Sequence, residues 1–222
     1  MLLTRYIFTN EFTPYEQLFK ISPHETCHFK KGDFLCDLGK PFTKIFYIVD
    51  GLTKVSVMHK NGEEKITGFW GKGGIYPLIC TEHNFVLEYS IMQVAISDVT
   101  AFAFDVDVIR NMMHESTELC QEMVNHYCKF TNLLFFCATT QTYEPVITRI
   151  CNILFIYIKN TSTQENNVYL SQTEIAALIG ATRISVVKSL KNLRDEKIIE
   201  TCRNKIVITN FKKLELKCTS LV

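Results

Sequence analysis

The chain has 222 residues, 47% of them hydrophobic and 21% charged, with a formal net charge of +1. That is enough chain for one sizeable core or two modest ones, and no apolar run is long enough to span a membrane. The N-terminus lacks a signal peptide's charged start, apolar centre and small-residue cleavage site, so a cytoplasmic protein is expected. Nine cysteines, odd in number and without a C-x-x-C pair, read mostly as small buried hydrophobes of a reducing compartment.

Residues 26–105 read as β structure. Short alternating segments are punctuated by Lys31-Gly32-Asp33, Leu38-Gly39, Asp50-Gly51, Asn61-Gly62 and the glycines at 71–74, and Asp-Gly or Asn-Gly between apolar runs marks hairpins. KIFYIVDGLTKVSVMHKNGEEKITGFW reads as consecutive antiparallel strands, with further strands expected at 87–96 and 100–104. Regular short strands of this kind predict a small barrel or jelly roll.

The period then changes. Residues 107–140 hold neither Gly nor Pro, which predicts one long helix. Leu119, Met123, His126, Phe130, Leu133 and Cys137 recur at alternating steps of 4 and 3, the spacing of a coiled-coil seam. That assigns them to a dimer interface and leaves Val124, Tyr127, Thr131, Leu134 and Ala138 to face the β domain. The bland alternative is a helix packed only on its own domain. A hinge follows at 142–145, then a helix at 146–158 and a polar loop STQENN.

The C-terminal part carries the sharpest signal. LSQTEIAALIGATRISVVKSLKNL places two short amphipathic helices around Gly180, where a tight turn needs a residue tolerant of positive φ. Ser171 and Glu174 form an S-x-x-E capping box, and Thr182 caps a second helix that buries Val186, Leu190 and Leu193. Two short strands at 198–200 and 205–209 complete a winged helix-turn-helix. From 170 to 222, ten Lys or Arg oppose five acidic residues, so this segment carries +5 and the rest of the chain −4. Such asymmetry is the electrostatic footprint of phosphate binding. The start of the second helix presents Thr182, Arg183, Ile184, Ser185 and Lys188. Arg183 can clamp guanine O6 and N7, Ile184 can only touch a thymine methyl, Ser185 and Gln172 suit phosphates, and Lys188 suits a base or a phosphate. A palindromic duplex operator read by a homodimer follows.

A β-roll, a long helix and a winged helix in that order resemble the CRP/FNR family of bacterial transcription regulators over nearly the whole chain. FKKGDFLCDLGKPFTKIFYIVDGLTKV resembles the family's opening β-roll. SQTEIAALIGATRISVVKSL resembles its helix-turn-helix at Glu174, Ile175, Gly180, Arg183, Val186 and Leu190. Ser189 departs, since a larger apolar residue is usual there, and Ile184 replaces a common acidic residue. The resemblance implies an α+β fold: a cyclic-nucleotide-binding-like sensing domain at 1–106, a dimerisation helix at 107–142 and a DNA-binding domain at 143–222. It implies a cytoplasmic homodimer whose long helix relays a small-molecule signal to DNA, and a contact with RNA polymerase where the regulator is an activator.

The sensed molecule is not cyclic AMP on this reading. A buried cyclic phosphate asks for a bidentate Arg, and there is no Arg between Arg5 and Arg110; the family's Gly-Glu and Arg-Ser pairs are missing from GKGGIYPLICTEHNFVLEYSIM. GKGG lacks the Lys-Ser/Thr ending of a P-loop. Only Cys27 and Cys36 come early, too few for an iron–sulfur ligand set. His83 is a lone candidate axial ligand, and Cys120, Cys128 and Cys137 read as packing residues rather than a thiol switch. What remains is an apolar pocket of Phe69, Trp70, Tyr76, Leu78, Phe85 and Tyr89. Lys129 is the only Lys or Arg between Arg110 and Arg149, read either as an ammonium for an anionic head or as a side chain snorkelling to solvent.

GEEKI, Asn125 with Lys129, and TYEP resemble the CprK-like branch that controls reductive dehalogenation and responds to chlorinated aromatics. Pro77 and Leu78 depart from that branch's Gly-Lys. The expected effector is a small aromatic or hydrophobic acid, with a halogenated phenol among the candidates. A redox or gas sensor on the same scaffold, or a ligand-independent family member, stay open. No cofactor and no catalytic constellation is expected.

Overall fold

In the computed structural model, which describes residues 4–36, 39–40, 42–77, 90–160, 166–203 and 205–220, the chain divides into two units. One is Ile7–Phe130, the other Thr131–Val222 together with Met1–Tyr6.

The first unit is built on nine described strands: β1 (Ile7–Phe8), β2 (Glu25–Phe29), β3 (Phe34–Cys36), β4 (Lys44–Asp50), β5 (Leu52–Met58), β6 (Glu64–Gly71), β7 (Ile75–Tyr76), β8 (Ile91–Ala95) and β9 (Val99–Asp105). They form a five-stranded sheet in the order β1-β6-β5-β8-β3 and a four-stranded sheet in the order β2-β9-β4-β7. All described neighbours pair antiparallel except β1, which runs parallel to β6 with Ile7 opposite Phe69 and Phe8 opposite Trp70. The Asp50-Gly51 turn shows why Gly is needed. Its φ is +91, and a Cβ there would collide with the Asp98 carbonyl oxygen. A 3-10 turn (Thr13–Tyr15) leads into a short helix, α1 (Glu16–Ile21), and the helices α2 (Val106–Glu115) and α3 (Thr117–Tyr143) follow the strands. Phe19, Ile45, Tyr47, Phe104, Ile109, Met112, Leu119 and Met123 share one apolar core, so α2 and the start of α3 pack against the four-stranded sheet.

Two expectations for this region are corrected. The single helix over 107–140 is two helices, because Ser116 takes an extended conformation (φ −127, ψ 105) and its hydroxyl accepts from the Leu119 N–H at 3.1 Å, starting α3 afresh. Freedom from Gly and Pro did not guarantee continuity, and Ser116 three residues before Leu119 was the overlooked cap signal. The coiled-coil seam is also reassigned. Leu119, Met123, His126, Leu133 and Cys137 are buried within the single chain. The stripe meant for the β domain is the exposed one, with Val124 50%, Tyr127 57% and Leu134 42% accessible, and neighbouring Phe135 is exposed with it. Both stripes carry 3–4 spacing, and spacing shows that a helix has an apolar face without showing what covers it.

The second unit comprises the rest of α3, then α4 (Val146–Asn160), β10 (Asn167–Val168), α5 (Gln172–Ile179), α6 (Arg183–Asp195), β11 (Ile199–Cys202), β12 (Lys205–Ile208) and α7 (Phe211–Glu215). β11 and β12 form the expected hairpin, with Ile199 opposite Ile208. β10, inside what reads as a polar loop, adds a third strand against β12. Two residues are too few to show alternation, which is why the sequence hides it. The core here is mostly aliphatic: Ile150, Leu154, Ile175, Leu178, Val186, Leu190, Leu193, Ile206 and Leu214 are buried, with Phe136 and Phe155 among them. The cysteines are less buried than expected. Of eight described, Cys36, Cys137 and Cys151 are buried, while Cys128 and Cys202 are exposed, so Cys128 is not a packing residue of this chain.

Candidate nucleic-acid interface and sensor cluster

The helix-turn-helix is fixed by local chemistry. Ser171 Oγ accepts from the Glu174 N–H at 3.1 Å while the Glu174 carboxylate accepts from the Ser171 N–H at 2.8 Å. That reciprocal pair satisfies two of the orphan donors at the start of α5 and is worth about 1 kcal/mol. α5 ends at Gly180 in the left-handed region (φ 62, ψ 54). A side chain there would also crowd the Gln141 amide at 3.2 Å. Thr182 then accepts from the Ser185 N–H, starting α6.

A further restraint was not visible in the sequence. Arg149, on the largely apolar α4, donates from Nη1 to the Ile179 carbonyl at 2.6 Å and to that of Gly180 at 3.4 Å. It satisfies the last carbonyls of α5 and clamps the turn that sets the angle of α6. Burial pushes its guanidinium below its ordinary pKa, yet far from any pH at which it would lose its charge. A lone Arg in VITRICNILFIYI is the signal that points to it. Beside it lies a water-sized space lined by Tyr6, Cys137, Thr140, Asn152 and Leu178. Burial, and then the neighbouring Cys137, hold the Tyr6 hydroxyl well above the usual tyrosine range.

The exposed side of α6 presents the residues singled out for DNA. Arg183, Ile184 and Lys188 are exposed, Ile184 by 82%, and Val187, Lys191 and Arg194 extend the same face. Arg194 is tied to Thr201 of β11 at 2.8 Å. Among the described residues Arg183, Lys188 and Lys191 form no ion pair, so this face is left basic. Thr182 is exposed, but its hydroxyl is engaged with that of Ser185 at 2.9 Å, and Ser185 and Gln172 are half-buried at the starts of α6 and α5.

The residues expected for the effector are partly brought together in the first unit. Trp70 is fully buried, tilted against Tyr76 with ring centroids 4.6 Å apart, stacked on Phe8 at 5.0 Å and edge-on to Phe130 at 5.4 Å. Phe69 is buried too, but strand alternation turns it to the face opposite Trp70, so it does not join that cluster. Leu78, Phe85 and Tyr89, and the lone His83, lie outside the described residues. Lys129 does not snorkel to solvent. Its ammonium lies 3.2 Å from Glu122 and 3.5 Å from Glu11.

At the centre stands His126, placed by sequence in a dimer seam and found wholly buried. The Trp70 indole N–H, which can only donate, reaches His126 Nε2 at 3.3 Å, so that nitrogen is the acceptor. The ring proton therefore sits on Nδ1, which lies 2.6 Å from the Glu11 carboxylate, itself 4% accessible. Phe8 and Phe12 stand edge-on to the imidazole at 5.2 and 5.3 Å. Glu11 went unnoticed because its partners are more than a hundred residues away, and only a histidine in an apolar stripe hinted at the network.

Comparisons with known proteins agree with this architecture. Residues 26–116 match the cyclic nucleotide-binding domain family and residues 148–216 match the Crp-like helix-turn-helix domain family. The global nitrogen regulator of Synechococcus elongatus is 21% identical over 193 residues, covering 85% of this chain and 87% of that protein. Among solved structures, FixK2 from Bradyrhizobium japonicum superposes with a TM-score of 0.76 at 13% identity, covering 89% of this chain and 98% of that one. CprK complexed with OCPA gives 0.74 at 17% identity, covering 96% and 100%. No helix among the described residues is long and apolar enough to cross a membrane.

Proposed function

This chain belongs to the CRP/FNR family of transcription regulators, and on that premise we propose that it reads a palindromic operator through α6 as a homodimer, under the control of a small aromatic or hydrophobic acid. Regulators of this family bind DNA as dimers and respond to small effectors. The observation that carries the DNA reading is the face of α6, where Arg183 and Lys188 flank an exposed Ile184. Arg183 takes guanine O6 and N7, and Ile184 takes a thymine methyl, which replaces the cytosine contact an acidic residue would make at that step. Lys188 takes a second base or a phosphate. Thr182, Ser185 and Gln172, at the two helix starts, hold phosphates and fix register. The twofold partner is joined along the exposed stripe Val124, Tyr127, Leu134 and Phe135, whose apolar area a lone chain would leave in water.

The effector reading rests on the aromatic cluster around Trp70 and on Lys129, which pairs with Glu11 beside it, together with the missing arginines of a cyclic phosphate site. CprK was solved with OCPA, and GEEKI and TYEP support placing this chain near that branch. FixK2 fits the fold equally well, so the branch is argued from those residues alone. On this reading the protein is cytoplasmic and non-enzymatic. The effector biases the spacing of two recognition helices through the segment at 143–145.

Selection of binding sites from random duplexes tests the operator. The expected product is a palindrome with guanine under Arg183 and thymine under Ile184, bound with a steep dependence on salt. A site preference unchanged by Arg183→Ala overturns the assignment. Colour in the freshly purified protein would favour the redox or gas sensor instead. Full operator binding without any added molecule would favour a ligand-independent regulator.

A further inference from the structure

The carboxylate of Glu11 is the most unusual group in the first unit. It is 4% accessible and lies in an aromatic interior, a placement that is strongly disfavoured for an ion unless cationic or N–H partners surround it. Two groups from α3 lie close by: His126 Nδ1 at 2.6 Å, in a geometry too bent for a hydrogen bond, and Lys129 Nζ at 3.5 Å. The next residue, Phe12, is fully buried and presents its ring edge-on to the same imidazole at 5.3 Å. Two adjacent side chains thus place a carboxylate and a phenyl ring on one histidine, walled by Phe8 and Trp70.

The geometry points to Glu11-Phe12 as a built-in ligand: the chain's own carboxylate and ring occupy a subsite that takes an aromatic carboxylate, and such an acid binds by displacing them. This rests on the reading that the effector is an aromatic acid and adds where its charge and ring sit and what must leave. The segment that carries the pair is held by backbone bonds to the neighbouring turn and by Phe12, which belongs to the core that also contains Phe19, Ile45, Tyr47, Leu119 and Met123. Asn10 adopts a left-handed conformation (φ 64), uncommon for a non-glycine residue. Its N–H bonds to the Lys72 carbonyl at 2.8 Å, and the Phe12 N–H bonds to that of Gly73 at 2.9 Å. Release breaks these backbone contacts and exposes Phe12, while β1 keeps its pairing with β6. An incoming acid restores the ion contacts and the buried ring. Its apparent affinity is lowered by the fraction of molecules in which the segment stays docked.

Trp70 is the only tryptophan in the chain, so its emission reports this site directly. The full-length protein, Glu11→Ala and Glu11→Ala with Lys129→Met are titrated with 3-phenylpropionate, and with 3-phenylpropan-1-ol as the uncharged control, following Trp70 emission and melting temperature. The expected result is at least tenfold tighter binding of the acid by Glu11→Ala than by the unaltered protein. The alcohol should give no saturable response, and Lys129→Met should remove most of the gain. Equal acid affinity with and without Glu11 overturns the built-in ligand while leaving an aromatic-acid effector intact. No response from any variant overturns both. Should Glu11→Ala fail to fold, Glu11→Gln fills the same space without the charge and should still bind the acid at least threefold more tightly; affinity equal to the unaltered protein overturns the inference.

Discussion

The two units put their polar chemistry in opposite places. In Thr131–Val222 the side chains proposed to meet DNA lie on the surface of α6, and most of the hydrogen bonds that shape it are helix caps spanning three residues, with the Arg149 clamp as the long-range exception. In Ile7–Phe130 the charged groups of interest are inside, and their contacts join residues 11, 70 and 126. A reader of DNA needs a rigid scaffold presenting cations to solvent. A sensor needs an interior whose contacts can be exchanged. The contrast teaches that the two halves should fail differently when altered.

The largest expected effect is in the interior. Trp70→Ala removes the centre of the ring cluster and should cost about 3–5 kcal/mol of stability, read as a lower urea midpoint. Next comes the surface. Arg183→Ala should weaken operator binding by about 1–3 kcal/mol with the urea midpoint unmoved; a shift in stability of that size would mean Arg183 is a structural residue. Arg149→Met tests the clamp between those extremes. It strands the Ile179 and Gly180 carbonyls and should cost about 1–2 kcal/mol of stability, with operator preference retained base by base. Ser171→Ala should cost about 1 kcal/mol, visible as a small drop in melting temperature.

The smallest effect is kinetic. Burial pushes the thiols of Cys151 and Cys218 up to about 12, so near pH 8 they hold less thiolate than an ordinary cysteine. Alkylation should reach exposed Cys128 and Cys202 first, and Cys151 and Cys218 should become reactive only as the pH approaches that raised value. Rapid labelling of Cys151 at pH 8 would contradict it.

Much of the second unit was legible because its determinants are local. The capping box at Ser171, the turn at Gly180, the cap at Thr182 and the buried Val186, Leu190 and Leu193 all follow from neighbours within one or two turns. Arg149 escaped because its target is thirty residues on. In the first unit the turns marked the strands, yet the partners did not. Phe69 and Trp70 are adjacent in sequence and opposite in space, and Lys129 read as a spare cation until Glu11 and Glu122 were found beside it.

The amino-acid order by itself determined the hairpin turns of the first unit, the capped helix pair around Gly180, which end carries positive charge and that the second helix of the pair presents Arg183 and Lys188, because capping, turn chemistry and side-chain period act over a few residues. Only the tertiary structure decided which stripe of α3 the chain covers itself and that a glutamate from the N-terminal segment lies against His126. Those outcomes depend on long-range packing, where the burial of whole faces, rather than spacing along the chain, selects the partner.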